Sequence, residues 1–107
     1  MSVSVIIPAL NEESTVAGVI HACLADDPLE VLVVDADSTD DTAAIARSAG
    51  ADVRNWRDIL PEPPRPGKGE SLWRGVAAAR GDIVVFIDAD LESAAPGMVT
   101  ALAAPLQ

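Results

Sequence analysis

Short apolar runs alternate with polar or acidic turns along the chain. Val3-Ser4-Val5-Ile6-Ile7, Leu29 to Val34 and Ile83 to Ile87 are rich in β-branched residues and bounded by Pro, Asp or Gly. This pattern predicts strands. Ile83 to Ile87 is uninterrupted, as in a parallel-sheet strand covered on both faces. Asp52-Val53-Arg54-Asn55-Trp56 is weaker and reads as an edge strand, and the first strand is expected to stop at Pro8, which cannot donate to a ladder.

Between these runs the apolar period becomes helical. Val16, Val19, Ile20, Cys23 and Leu24 mark one helix to about Ala25, with Asn11 as a candidate cap and Glu12 and Glu13 in its first turn. Ser38 or Thr39 is placed to cap a second helix from Asp40 to about Ala49, with Gly50 beyond it. A third spans Glu70 to Arg80, with Leu72, Trp73, Val76 and Ala77 or Ala79 as its apolar side, and a fourth Pro96 to about Ala104. Strand and helix alternate throughout. The prediction is an α/β fold, a Rossmann-like parallel sheet of about four strands with flanking helices and right-handed crossovers. Arg57 to Gly69 breaks the rhythm. It carries Pro61, Pro63, Pro64 and Pro66 before Gly67-Lys68-Gly69, and a loop of this length points to function.

Composition narrows the partners. The 107 residues suffice for one small domain with one core. A formal net charge of -10 opposes long-range attraction to nucleic acid or an anionic membrane, so a phosphate-bearing ligand needs a local cation. Cys23 is the only cysteine, which excludes an internal disulfide and a cysteine-based metal site. No basic region precedes Val3 to Leu10, and that run is too short for a signal peptide or a span. The expectation is a soluble, cytoplasmic protein.

The candidate chemistry sits where strands end. Asp88-Ala89-Asp90 follows the Ile83 strand directly, and open α/β sheets bind ligands at the carboxyl ends of their strands. Carboxylates two residues apart can approach one hard divalent cation. Asp35 and Asp37 follow the second strand in the same way. Asp35, Asp37, Asp88 and Asp90 are therefore expected to gather on one edge, with Lys68 supplied by a mobile loop. Lys68 between glycines at a helix entry suits a phosphate. A metal together with Lys68 could neutralise a diphosphate leaving group. Taken singly, each signal has a blander reading. An Asp-x-Asp in an acidic chain is commonly a cap or solvated turn. Trp56 and Trp73 are more often packing residues than sugar platforms. Arg74, Arg80 and His21 read as surface side chains. The order and spacing of the whole set carry the argument.

That set resembles the nucleotide-sugar half of the GT-A glycosyltransferases of family 2 type. The resemblance lies in Val5 to Glu13 (VIIPALNEE), Asp35 to Thr42 (DADSTDDT) and Asp88-Ala89-Asp90. The segment Arg65-Pro66-Gly67-Lys68-Gly69-Glu70-Ser71-Leu72-Trp73-Arg74, with Leu60-Pro61-Glu62 before it and Arg80 to Asp88 after it, is narrower. It is similar to the branch that transfers glucose from UDP-glucose to the hydroxyl of 3-phosphoglycerate with retention at the anomeric carbon. The resemblance implies that residues 1–107 form a donor-binding part. It implies that Pro8, Ala9, Leu10, Asn11 and Glu12 line a uridine pocket and that Asp35 and Ala36 hold the base or ribose. Asp88 and Ala89 would touch the ribose or sugar-phosphate. Lys68 and Asp90 would be the catalytic residues, with Asp90 and Asp88 holding Mg²⁺ or Mn²⁺. The chain departs from the usual pattern at Ala36, where a polar residue is common, and at Asp37, where Gly is common. Acceptor-binding segments and a metal-ligating His are expected beyond the position of Gln107, so the isolated chain is expected to be inactive. An open apolar edge at the Ile83 strand would invite self-association. A UDP-sugar-binding module without catalysis is the alternative. A signalling receiver domain would want acidic residues where Pro8 stands and a Lys after the later Asp pair, and a sugar nucleotidyltransferase a Gly-rich first loop.

Overall fold

The computed structural model describes residues 2–107. Strand β1 (Val3–Ala9) is the centre of the molecule, buried along its whole length. It pairs in parallel with β2 (Glu30–Asp35) on one side and β4 (Ile83–Phe86) on the other, and β3 (Asp52–Asn55) pairs with β2. The result is a four-stranded parallel sheet in the order β3-β2-β1-β4. Helices α1 (Val16–Leu24), α2 (Thr42–Ser48) and α4 (Met98–Ala103) enclose the larger core, with Val5, Ile7, Val33 and Val85 pointing into it. Helix α3 (Lys68–Ala78) covers Ile6, Leu32 and Val34 on the opposite face. Short 3₁₀ turns lie at Trp56–Asp58 and Ala104–Leu106. Among the described residues no helix is long and apolar enough to cross a membrane.

Pro8 does not end β1. It stays in register with Val34 of β2. The Ala9 carbonyl accepts from Ala36 on the β2 side, whereas the Ile6 carbonyl accepts from Ile87 on the β4 side. By alternation, Pro8 turns its donor-less nitrogen toward β4, and the β4 ladder stops there. The proline therefore sets the length of β4 rather than that of β1. Nor is β4 covered on both faces. Ile83 and Val85 are buried, but Phe86 is 49% exposed, because α3 lies over β1 and β2 and leaves the edge strand open.

Helix boundaries shift for tertiary reasons. Asn11 does not cap α1; its φ of 54° places it in a left-handed turn, and the helix begins after Thr15. Neither Ser38 nor Thr39 caps α2, which begins after Asp41. Helix α4 begins after Gly97, and its first donors are satisfied from across the molecule. Asp26 accepts from the N–H groups of Gly97, Val99 and Thr100 at 2.6, 2.9 and 3.0 Å. Donation from Thr100, then from Gly97 and Val99, holds the Asp26 carboxyl below its usual range.

The inner side of α3 also differs from expectation. Ser71, Arg74 and Gly75 are buried, while Trp73 is 64% exposed and Val76 also faces solvent. Gly75 permits this close approach. A Cβ there would lie 2.3 Å from Ile6 Cγ2 and 3.3 Å from Val34 Cγ2. Gly75→Ala should therefore cost about 1–3 kcal/mol by overpacking, despite its better helix propensity. Urea denaturation checks this, and an unchanged or raised midpoint would contradict the packing argument. At the far end of α3, burial pushes the Glu30 carboxyl up, but the Ser4 hydroxyl at 2.6 Å and the Arg80 backbone N–H at 2.7 Å outweigh it and leave it lowered. Arg80 also pairs with Glu30 through its guanidinium, so it is not merely a water-facing arginine.

Candidate functional site

Three carboxyl-end turns and the start of α3 meet above β1 and β2. Their mutual hydrogen bonds explain why the residues read as caps are not caps. Asn11 N donates to Ser38 Oγ at 2.9 Å, and Asn11 Oδ1 accepts from Thr39 N at 2.8 Å. Glu12 N donates to Thr42 Oγ1 at 2.8 Å, while Thr15 Oγ1 donates to the Ala89 carbonyl at 2.8 Å. The turn after β1 is thus bonded to the turns after both β2 and β4. Polar side chains that competed for local caps are used between loops instead.

These turns frame an open cleft of about 140 Å³. Of the residues singled out from the sequence, Pro8, Ala9, Leu10, Glu12, Ala36 and Lys68 line it. Ser71 lines it too and was missed; so do Trp56, which was read as a packing residue, and Gly67, read only as a flank of Lys68. The weak strand pattern around Trp56 carried no signal that it would line a cleft. Asn11 and Ala89 stand behind the lining as the bonded supports just described. The volume is below the ~300 Å³ at which drug-sized pockets begin, and suits one flat ring or a ribose better than a whole nucleotide sugar.

Lys68 is not on a mobile loop. It is the first residue of α3, entered through Gly67 at a φ of 115°. Its Nζ donates to Asp88 Oδ1 at 2.6 Å, and both side chains are more than half exposed. The hydrogen bond from Lys68 to Asp88, with the charges of Asp88, Asp90 and Glu12, raises the ammonium above its ordinary value. The Glu12 carboxyl is raised as well, first by burial and then by the charge of Asp90. Among the described residues Asp90 has no hydrogen-bond or ion-pair partner of its own. An ammonium already shared by acidic neighbours, beside an unpartnered carboxylate, leaves a net negative rim.

Asp35 and Asp37 do not join that rim, contrary to the expected four-carboxylate edge. Asp35 is only 6% exposed; its Oδ2 accepts from Ser38 N at 3.3 Å and its Oδ1 is buried without a partner. Asp37 turns toward the other side of the cleft. Arg57 reaches its Oδ2 through both Nε and Nη2 at 2.8 Å, and Asn55 Nδ2 donates to its Oδ1 at 3.1 Å. Arg57, then Asn55, bring the Asp37 carboxyl down to about 2. Trp56 Nε1 leans on the same carboxylate too weakly to count as a bond and has no other partner. Among the described residues no three His, Cys, Asp or Glu side chains converge as a metal site would require. Asp90 and Asp88 offer hard oxygen donors of the kind Mg²⁺ and Mn²⁺ take, so the donor chemistry fits such an ion while the ligand set is incomplete. An apolar cleft with a cation and a free carboxylate at its mouth suits a ligand that is flat at one end and anionic at the other.

A model of glycosyl transferase family 2 matches residues 4–107. The glucosyl-3-phosphoglycerate synthase of Mycobacterium tuberculosis (strain H37Rv) is 50% identical over 98% of this chain, which spans 34% of that protein. The synthase of Petrotoga mobilis is 39% identical over 99% of this chain and 35% of its own length. A crystal structure of the M. tuberculosis synthase in complex with Mn²⁺, UDP-glucose and phosphoglyceric acid superimposes with a TM-score of 0.90, at 50% identity, over 98% of this chain and 39% of that one. The chain thus spans about a third of the length of the curated relatives it matches.

Proposed function

Because the chain belongs to glycosyl transferase family 2, we propose that it is the donor-binding part of an enzyme that transfers glucose from UDP-glucose to 3-phosphoglycerate with retention. The observation that carries this reading is the Lys68–Asp88 pair at the mouth of an apolar cleft, next to the unpartnered Asp90. The cleft residues Pro8, Ala9, Leu10, Glu12 and Ala36, backed by Asn11, hold the uridine, with buried Asp35 behind the turn that carries Ala36 and with Asp88 and Ala89 beside the sugar-phosphate. Bound Mg²⁺ or Mn²⁺, held by Asp90 with Asp88, would supply a Lewis acid to the diphosphate. Lys68 exchanges Asp88 for a phosphate oxygen and neutralises the charge that grows on the leaving group, so its contribution rises as the glycosidic bond breaks.

On this reading the acceptor-binding part and the ligands that complete the metal donor set are supplied from outside the described residues, among which no three-ligand cluster forms. We therefore expect the 107-residue chain to bind UDP in a Mn²⁺-dependent manner and to transfer no glucose. Calorimetry with UDP, with and without Mn²⁺, and an assay with UDP-glucose and 3-phosphoglycerate test this together. Robust turnover would sink the assignment of a donor part only, and absence of metal-dependent UDP binding would reject the site residues. Binding without turnover by this chain even when joined to an acceptor half would favour the second reading, a non-catalytic UDP-sugar module, which the incomplete donor set supports. The exposed Phe86 on edge strand β4, with Trp73 and Val76 on α3, supports self-association of the isolated chain. A cytoplasmic setting accords with the buried free thiol of Cys23.

A further inference from the structure

We propose that Asp37, Asn55 and Arg57 are positioning residues: they latch the β3–α3 connection to the turn after β2 and hold Trp56 as the wall against which the donor's base packs. The inference rests on the donor-binding reading and adds to it a specific set of residues. Asp37 is a non-glycine residue at a φ of 61°, a region that L side chains rarely occupy and that persists where surrounding contacts over-determine it. Those contacts are present. Arg57 grips one carboxylate oxygen, and Asn55 donates to the other. Asn55 is a hinge between the two, because its Oδ1 also accepts from Arg57 N at 2.9 Å and caps the short 3₁₀ turn.

Trp56 lies between the two latch residues in the chain. Its carbonyl is held from below by Arg74 Nη1 at 2.8 Å. The backbone of Trp56 is therefore fixed on both sides, and Trp56, which also packs on Ile6, Leu32 and Val34, lines the same cleft as Ala36. Ala36 precedes Asp37 directly, so the latch ties together the two segments that bring Ala36 and Trp56 to the cleft. A methyl group and a partly buried indole in one small cleft suit a flat, apolar-faced ring. Stacking on an aromatic face supplies affinity that needs no side-chain hydrogen bond from Ala36.

The test uses the Trp73→Phe chain as parent, so that Trp56 is the only fluorophore of its kind, and UDP with Mn²⁺ as probe. Trp56→Ala should weaken UDP binding about tenfold, as loss of one base–aromatic stack does. Asp37→Gly and Arg57→Ala should each weaken it about fivefold, the upper end for an exposed ion pair. The double variant should be no weaker than either, and Arg57→Lys should recover part of the loss. In the parent, UDP should quench Trp56 emission, and in Asp37→Gly the quenching should shrink. Inorganic pyrophosphate, which has no base, should bind parent and variants alike. Asp37→Gly should keep its melting temperature, because glycine removes the backbone strain as the ion pair is lost. The proposal is overturned if Asp37→Gly and Arg57→Ala bind UDP as tightly as the parent. It is equally overturned if they lose UDP and pyrophosphate together with a fall in melting temperature, which marks a general structural role. A parent that binds pyrophosphate but not UDP removes the base subsite while sparing the phosphate end, and one that binds neither removes the donor reading itself.

Discussion

Arg74→Ala is expected to lower the unfolding free energy by about 3–5 kcal/mol, the range for removing one partner of a buried charged network. Arg74 is 1% exposed. Its guanidinium donates to the carbonyls of Trp56, Leu60 and Glu62 at 2.8, 3.3 and 2.5 Å, and to Glu70 Oε1 at 3.0 Å. Alanine would leave those acceptors without a donor and open a void under the Pro-rich segment. For a domain whose whole stability lies between about 5 and 15 kcal/mol, that is a large fraction. Arg74→Lys should recover little, since one ammonium cannot span carbonyls that a planar fork reaches together. Urea denaturation measures the loss, and limited proteolysis between residues 57 and 67 reports whether the segment is released. An unchanged midpoint with an unchanged cleavage pattern would show that the carbonyls find other donors.

Asp90→Ala should do the opposite: leave stability intact and remove the metal-dependent part of UDP binding. Burial and the Asp90 charge both raise the Glu12 carboxyl, so Asp90 is a repulsive neighbour in the ligand-free chain. Removing it relieves repulsion and breaks no hydrogen bond among the described residues. Even residues that only support metal ligands typically cost 10- to 100-fold in metal affinity when changed, so loss of a ligand should cost about that or more. Lys68→Ala is the contrasting variant. It should weaken UDP with and without Mn²⁺ if, as proposed, the ammonium pairs with phosphate directly. Calorimetry on both variants, with the metal omitted and added, separates the two roles. Mn²⁺ dependence that survives Asp90→Ala would remove that residue from the metal site.

Much of the cleft and its rim was legible because its parts are consecutive. Pro8 to Glu12 and Asp88 to Asp90 follow strands, and a strand's carboxyl end has one place to go in a parallel sheet. Lys68 was found through its flanking glycines, although its place on α3 rather than on a loop was not. Asp35 and Asp37 were read as equivalents because they share a turn. They part because the strand pleat sends one inward, while a left-handed backbone turns the other to Arg57, twenty residues away. Trp56 was not legible as a cleft wall, since its position depends on Asn55, Arg57 and Arg74 together. Arg74 was misread for the same reason. Helical spacing says which residues share a face, but it does not say which face meets backbone carbonyls.

The sequence by itself determined the order of strands and helices, the parallel α/β class, the acidic character and the motifs of the family. These follow from period, local turn chemistry and side-chain type, which act between near neighbours in the chain. The tertiary structure alone decided where β4 stops, that Asn11, Ser38 and Thr39 bond across loops instead of capping, that Asp26 caps a helix more than seventy residues away, and that Asp90 remains unpartnered beside the Lys68–Asp88 pair. Each of these is a competition for hydrogen-bond partners or packing space between distant segments. The winner is set by which groups the assembled sheet brings within about 3 Å of each other.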